Sequence, residues 1–184
     1  MMHELRHYIW SQIYSIPYNL YVVLLSIFFV SCAIFLIWKG VKRGCYLTLW
    51  LFLSEYLFLI LCSTIIYRDV SDTHVIHFNP FWSYYNNVSN TFSILPEHIM
   101  NVLMFVPVGV SFALLLKKHV IIKAVIVGMF FSCFVESLQF VLYRGTSEID
   151  DVLNNTFGCV IGAFIVYLCI LWHGILRTKE LWIS

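Results

Sequence analysis

The chain contains five apolar runs, each close to the length of a bilayer-crossing helix, and that pattern leaves few folds open. A helix needs about 20 apolar residues to cross the hydrocarbon core. The runs are Leu20–Trp38, Tyr46–Tyr67, Ile99–Leu116, Ala124–Leu142 and Val152–Trp172. Lipid offers no partner to backbone N–H and C=O groups, so each run is expected to be a helix and the chain an all-α, polytopic membrane helix bundle. Composition agrees: of 184 residues 61% are hydrophobic and 11% charged, more apolar surface than a small soluble core can bury. A net charge of +1 supplies no field for a polyanion, which excludes nucleic acid as a partner. The cysteines lie in or beside apolar runs and form no CxxC pair, so neither a disulfide nor a thiolate metal site is expected. Residues 1–17 carry His3, Glu4, Arg6 and His7 with no short apolar stretch and cleavage site, so no cleavable signal peptide is expected.

Basic residues set an orientation. Lys39, Lys42, Arg43, Lys117, Lys118, Lys123, Arg177 and Lys179 fall on one side of the expected membrane, and only Arg6, Arg68 and Arg144 on the other. Basic loops stay cytoplasmic. The expectation is a multi-pass protein of the bacterial cytoplasmic membrane, N-terminus outside and C-terminus inside. The outer side then receives Glu4, Asp69, Asp72, Glu97, Glu148, Asp150 and Asp151. It also receives the one long loop, Arg68–His98, whose Phe78–Trp82 and Tyr84-Tyr85 are aromatic in the manner of the lipid–water interface. Part of 76–94 is therefore expected to be interfacial or re-entrant.

Polar residues inside membrane spans are costly and read as functional by default. Here they gather at the outer ends of spans three to five. Glu97, His98 and Asn101 share one helix face by their three- and four-residue spacings, and Glu136 and Gln139 share another. Asp151, Asn155, Gly158 and Gly162 form one stripe on span five, with Asn154 beside it, and the two glycines make a GxxxG through which a neighbouring helix can approach. Asp150 is placed to cap that helix. Arg144 is the one base between spans four and five, and it is expected to engage Glu136, Asp150 or Asp151 when the site is empty. Carboxylates with asparagine carbonyls suit a divalent ion, but His74 and His77 lack further ligands at a set spacing. Neither a metal nor a cofactor is expected.

The order Asn101, Phe105, Pro107, Gly109, then Glu136, Gln139, Arg144, then Asp150, Asp151, Asn155, Gly158, Gly162 resembles the VanZ-like family of bacterial membrane proteins. Tyr67-Arg68 and Asn79-Pro80-Phe81 look like that family's outer-loop elements. The resemblance divides the chain into 1–64, holding span one and most of span two; a VanZ-like region at 65–172; and a short cytoplasmic tail at 173–184. The family is named for a protein that confers low-level resistance to the glycopeptide teicoplanin, so the resemblance implies a cell-envelope role of that kind.

Three functions fit this sequence. The first is a module binding an amphiphile (a lipid head group, an envelope precursor or a glycopeptide) through Asn101, Glu136, Gln139, Arg144, Asp150, Asp151, Asn154 and Asn155, with Arg68, Asn79 and His98 as secondary candidates. The second is a membrane enzyme acting on a lipid or envelope precursor, with Glu136, Asp150 and Asp151 as acid–base groups. The third is a small transporter, disfavoured because spans three and five turn apolar below Pro107 and Asn155.

Overall fold

Gly40 decides how the first two spans meet. In a computed structural model describing residues 2–71, 75–85, 91–116 and 119–183, the helix α2 (Tyr18–Leu61) is broken there, at φ 71° and ψ 168°. A positive φ is a conformation glycine adopts at little cost. The two halves fold back on each other: a Cβ on Gly44 would lie 3.0 Å from the Leu36 Cα, and Phe28 meets Phe52 edge to face at 6.2 Å. Before α2 lies α1 (Met2–Ser15), a helix that the apolar runs do not anticipate because polar and charged residues interrupt its apolar ones throughout.

After α2 the chain widens into a π turn, Cys62–Ile66. It then passes through β1 (Ile76–His77), α3 (Trp82–Tyr85), α4 (Thr91–Leu116), α5 (Val120–Leu142), β2 (Ser147–Glu148) and α6 (Ile149–Ile183). Among the described residues, five helical segments are long and apolar enough to cross a membrane: Tyr18–Val41, Arg43–Ile66, Pro96–Leu116, Val120–Leu142 and Ile149–Trp172. Of the charges behind the expected orientation, the side chains of Glu4, Lys42, Asp72, Lys117, Lys118, Arg177 and Lys179 lie outside the described residues, as does His74.

The centre of the bundle is the α4–α6 pair, with α5 packed against α6. Small residues permit it. A Cβ on Gly158 would fall on the Val102 carbonyl, and one on Gly162 on the Val106 carbonyl. From the other side, a Cβ on Gly109 would fall on the Cys159 backbone. Without those carbons the two backbones come into contact, so dispersion acts along the stretch where these glycines lie. Phe105, Val108, Cys159 and Ala163 fill the seam and are essentially inaccessible. The Tyr56 hydroxyl ties α2 to α4 by donating to the Met104 carbonyl at 2.9 Å.

The described part of the long loop forms a cap with its own structure. β1 pairs in parallel with β2, Ile76 opposite Ser147 and His77 opposite Glu148. The short helix α3 follows Phe81, whose φ is 66°. The end of the bundle where α4 and α6 begin and α5 ends, beneath this cap, is here called the polar end.

Candidate functional site

At the polar end the π turn, α4, α5 and α6 enclose a small polar cavity of about 30 Å³. On α5, a three-residue spacing directs Glu136 and Gln139 into it, and both are buried. One oxygen of Glu136 accepts the backbone N–H of Glu148 at 3.0 Å. Gln139 donates to the Thr64 carbonyl at 3.2 Å, on the π turn. A π turn commonly marks a functional position, because its wider spacing redirects backbone groups. From α6 come Asp151 and Asn155, one turn apart. Asn101 on α4 donates to Asp151 at 2.7 Å, and Asn155 donates to the Ser132 hydroxyl at 2.7 Å.

Two acceptors in this wall have no partner. Gln139 is 2% exposed and Asn155 4%, yet the side-chain oxygen of each is buried and unbonded. A buried polar atom without a partner costs about 1–3 kcal/mol. With the carboxylates of Glu136 and Asp151 the wall is rich in acceptors. Its cation is Arg68, which lines the cavity and lies 3.9 Å from Glu97.

The sequence profile of the VanZ/LLP1 family matches residues 44–172, which include every residue of this wall. The chain belongs to the VanZ/LLP1 family. Comparison with curated proteins and with solved structures returns no match. Span one and α1 lie outside the VanZ/LLP1 region, and no part of span one's most apolar stretch is buried. The family's segment is thus also the packed part of the bundle.

Within the VanZ/LLP1 region the polar residues separate into a cavity and the props around it. Asn101, Glu136, Gln139, Asp151 and Asn155 line the cavity. Arg144 does not pair with Glu136, Asp150 or Asp151; it donates to the backbone carbonyl of Arg68. That corrects the expectation drawn from its being the one base between spans four and five. Arg144 ends α5 beyond a left-handed Tyr143, and from there its guanidinium reaches the loop after the π turn rather than the helix interior. Arg144 therefore positions Arg68. Gly145 completes the arrangement, since a Cβ there would lie 2.8 Å from the Arg68 guanidinium carbon, at φ 116°. Gly145→Ala is expected to destabilise the protein by about 1–3 kcal/mol for the backbone conformation alone. Thermal unfolding in detergent checks it, and an unchanged transition would mean that the turn does not adopt this φ.

Asp150 is 2% exposed, and its carboxylate holds the cap: it accepts the Phe81 N–H at 2.5 Å, the Ser83 N–H at 3.0 Å and the Ser83 hydroxyl. Asn154 faces a separate cluster. Its amide meets His98 Nδ1 at 3.0 Å, and its oxygen accepts the Tyr84 hydroxyl at 3.0 Å. Tyr84 stacks on the His98 ring at 4.3 Å. Burial pushes the Tyr84 phenol above its ordinary range. The Asn79 side chain is exposed, and the Asn79 backbone carbonyl accepts the Trp82 N–H in the turn before α3.

Three contributors escaped the sequence reading. Ser132 was legible, since it lies one turn before Glu136 on the same α5 face. Glu97 was noted without a role. The Thr64 carbonyl leaves no sequence signal, because π geometry is not written in a residue pattern.

Proposed function

We propose that this protein holds the polar group of a membrane amphiphile (a lipid head group, an envelope precursor or a glycopeptide) in the cavity between the π turn, α4, α5 and α6. The observation that carries this reading is the pair of unpartnered acceptors on Gln139 and Asn155 beside two carboxylates. Such a wall is incomplete without donors from a ligand or water. The positive-inside rule supports an outward polar end, with Lys39, Arg43 and Lys123 toward the cytoplasm. Teicoplanin resistance, the trait behind the family's name, is compatible with an outward amphiphile site.

The test is native mass spectrometry of the protein extracted from its membrane in mild detergent. One lipid-sized adduct per chain is expected. Glu136→Gln together with Asn155→Ala should lower its retention about tenfold, corresponding to about 1.4 kcal/mol, while Lys39→Ala leaves it unchanged. Equal adducts in all three proteins overturn the reading. Orientation is checked in intact cells by a cysteine at Asn79, in a chain otherwise free of cysteine. An impermeant thiol reagent should label it, and protection would reverse the orientation.

A further inference from the structure

Glu136 borders two cavities. On one side is the polar cavity; on the other is a groove of about 260 Å³. The groove runs between α5 and α6, with Cys133, Ser137, Phe140 and Val141 on one wall and Ile149 and Val152 on the other. The β1–β2 pair closes its polar end with His77 and Glu148. Its mouth is apolar and open: Val141 is 65% exposed and Phe78 75%. Both helices belong to membrane spans, so the groove opens sideways into lipid. Among the described residues no lysine or arginine lines it, and carboxylates from Glu136 and Glu148 mark its polar end.

We infer that this groove holds one acyl chain of a membrane lipid whose head group carries a primary ammonium, presented to Glu136 and the polar cavity. The inference rests on the amphiphile reading above and adds the route and the head-group chemistry. Charge and size select the ammonium. The polar cavity offers Glu136, Asp151 and two unpartnered amide oxygens against one arginine, which suits a cationic donor and repels a phosphate brought in alone. A volume of about 30 Å³ suits a compact group such as an ammonium. The groove is several times larger and apolar, as a chain requires.

The test uses purified protein in phosphatidylcholine vesicles doped with phosphatidylethanolamine bearing a diazirine in the carboxyl-proximal half of one chain. After illumination, adducts are mapped by mass spectrometry. They should concentrate on Cys133, Ser137, Phe140 and Val141, above the level at Ile122, Ile126 and Phe130 on the exposed face of α5. Ser137→Trp, which fills the groove, should lower them about tenfold, equivalent to about 1.4 kcal/mol, and Val141→Trp at the mouth should act in the same direction. Ile126→Trp should not, and unfolding temperatures in detergent identify any variant that fails to fold. The same diazirine on phosphatidic acid should label the groove only at the level of the exposed face, and Glu136→Gln should reduce phosphatidylethanolamine to that level. Uniform labelling along α5, or equal groove labelling by phosphatidic acid, overturns the inference. If labelling is uniform while retention in the earlier test still depends on Glu136 and Asn155, only the groove falls. If that dependence also vanishes, the cavity reading falls with it.

Discussion

Gly158→Ala is expected to lower the stability of the bundle by about 3 kcal/mol, at the upper end of ordinary overpacking, and adding Gly162→Ala should abolish the folded protein. The reason is what the new carbon would meet. At Gly158 it falls on the Val102 carbonyl, and at Gly162 on the Val106 carbonyl with the Val110 nitrogen 2.8 Å away. These are backbone atoms of α4, so no rotamer change relieves the clash and the helices must part. Lipid tails are as apolar as the side chains, and no hydrophobic force drives the pair together again. Parting would also pull Asn101 from Asp151, a 2.7 Å bond across the same seam. Gly40→Ala is the comparison: nothing lies within 4 Å of its Cβ, but its φ is 71°. It should cost only about 1–2 kcal/mol, for the left-handed conformation. Unfolding in detergent, followed by circular dichroism, measures all of these. If Gly158→Ala is no worse than Gly40→Ala, α4 and α6 do not meet at these glycines.

The membrane helices were legible because a bilayer demands length and apolarity together, and few other residue patterns meet both. Local helix periodicity likewise places Glu136 with Gln139, and Asp151 with Asn155, on shared faces. Where the reading failed, a tertiary relation was needed. Arg144 was expected to engage the acids because it is the one base between spans four and five. Eight residues of helix, about 12 Å, separate it from Glu136, and the cation that reaches the cavity, Arg68, arrives from a different element. The β1–β2 pair has two residues in each strand, too short for any alternation to register. Asp150 was read as a helix cap or a ligand from its position in α6. Its actual partners, Phe81 and Ser83, are nearly 70 residues distant in sequence and have no local signature.

Asp150→Ala is the second large effect expected, and its size separates two roles for the carboxylate. Asp150 lies in the first turn of α6, where a negative charge stabilises the helix dipole by about 0.3–1 kcal/mol. If that were its whole role, the variant would lose no more. The carboxylate also accepts from the Phe81 N–H, the Ser83 N–H and the Ser83 hydroxyl. Hydrogen bonds to a charged group contribute about 1.5–3 kcal/mol each. Losing these, less what water restores once the loop opens, should cost about 3 kcal/mol. The loss should be local. Phe81 is held at φ 66°, a conformation unfavourable for a bulky residue, and without its anchor the segment 78–85 should relax outward. Hydrogen exchange should then rise at the Phe81 and Ser83 amides and protease should cut in that segment, while the α4–α6 seam keeps its protection. Asp150→Asn should behave nearly as badly, because an amide has one acceptor oxygen where three donors converge. Ser83→Ala removes only the hydroxyl contact and should cost about 1 kcal/mol. If Asp150→Asn leaves exchange at Phe81 and Ser83 unchanged, the carboxylate does not hold the cap, and its burial must serve the cavity instead.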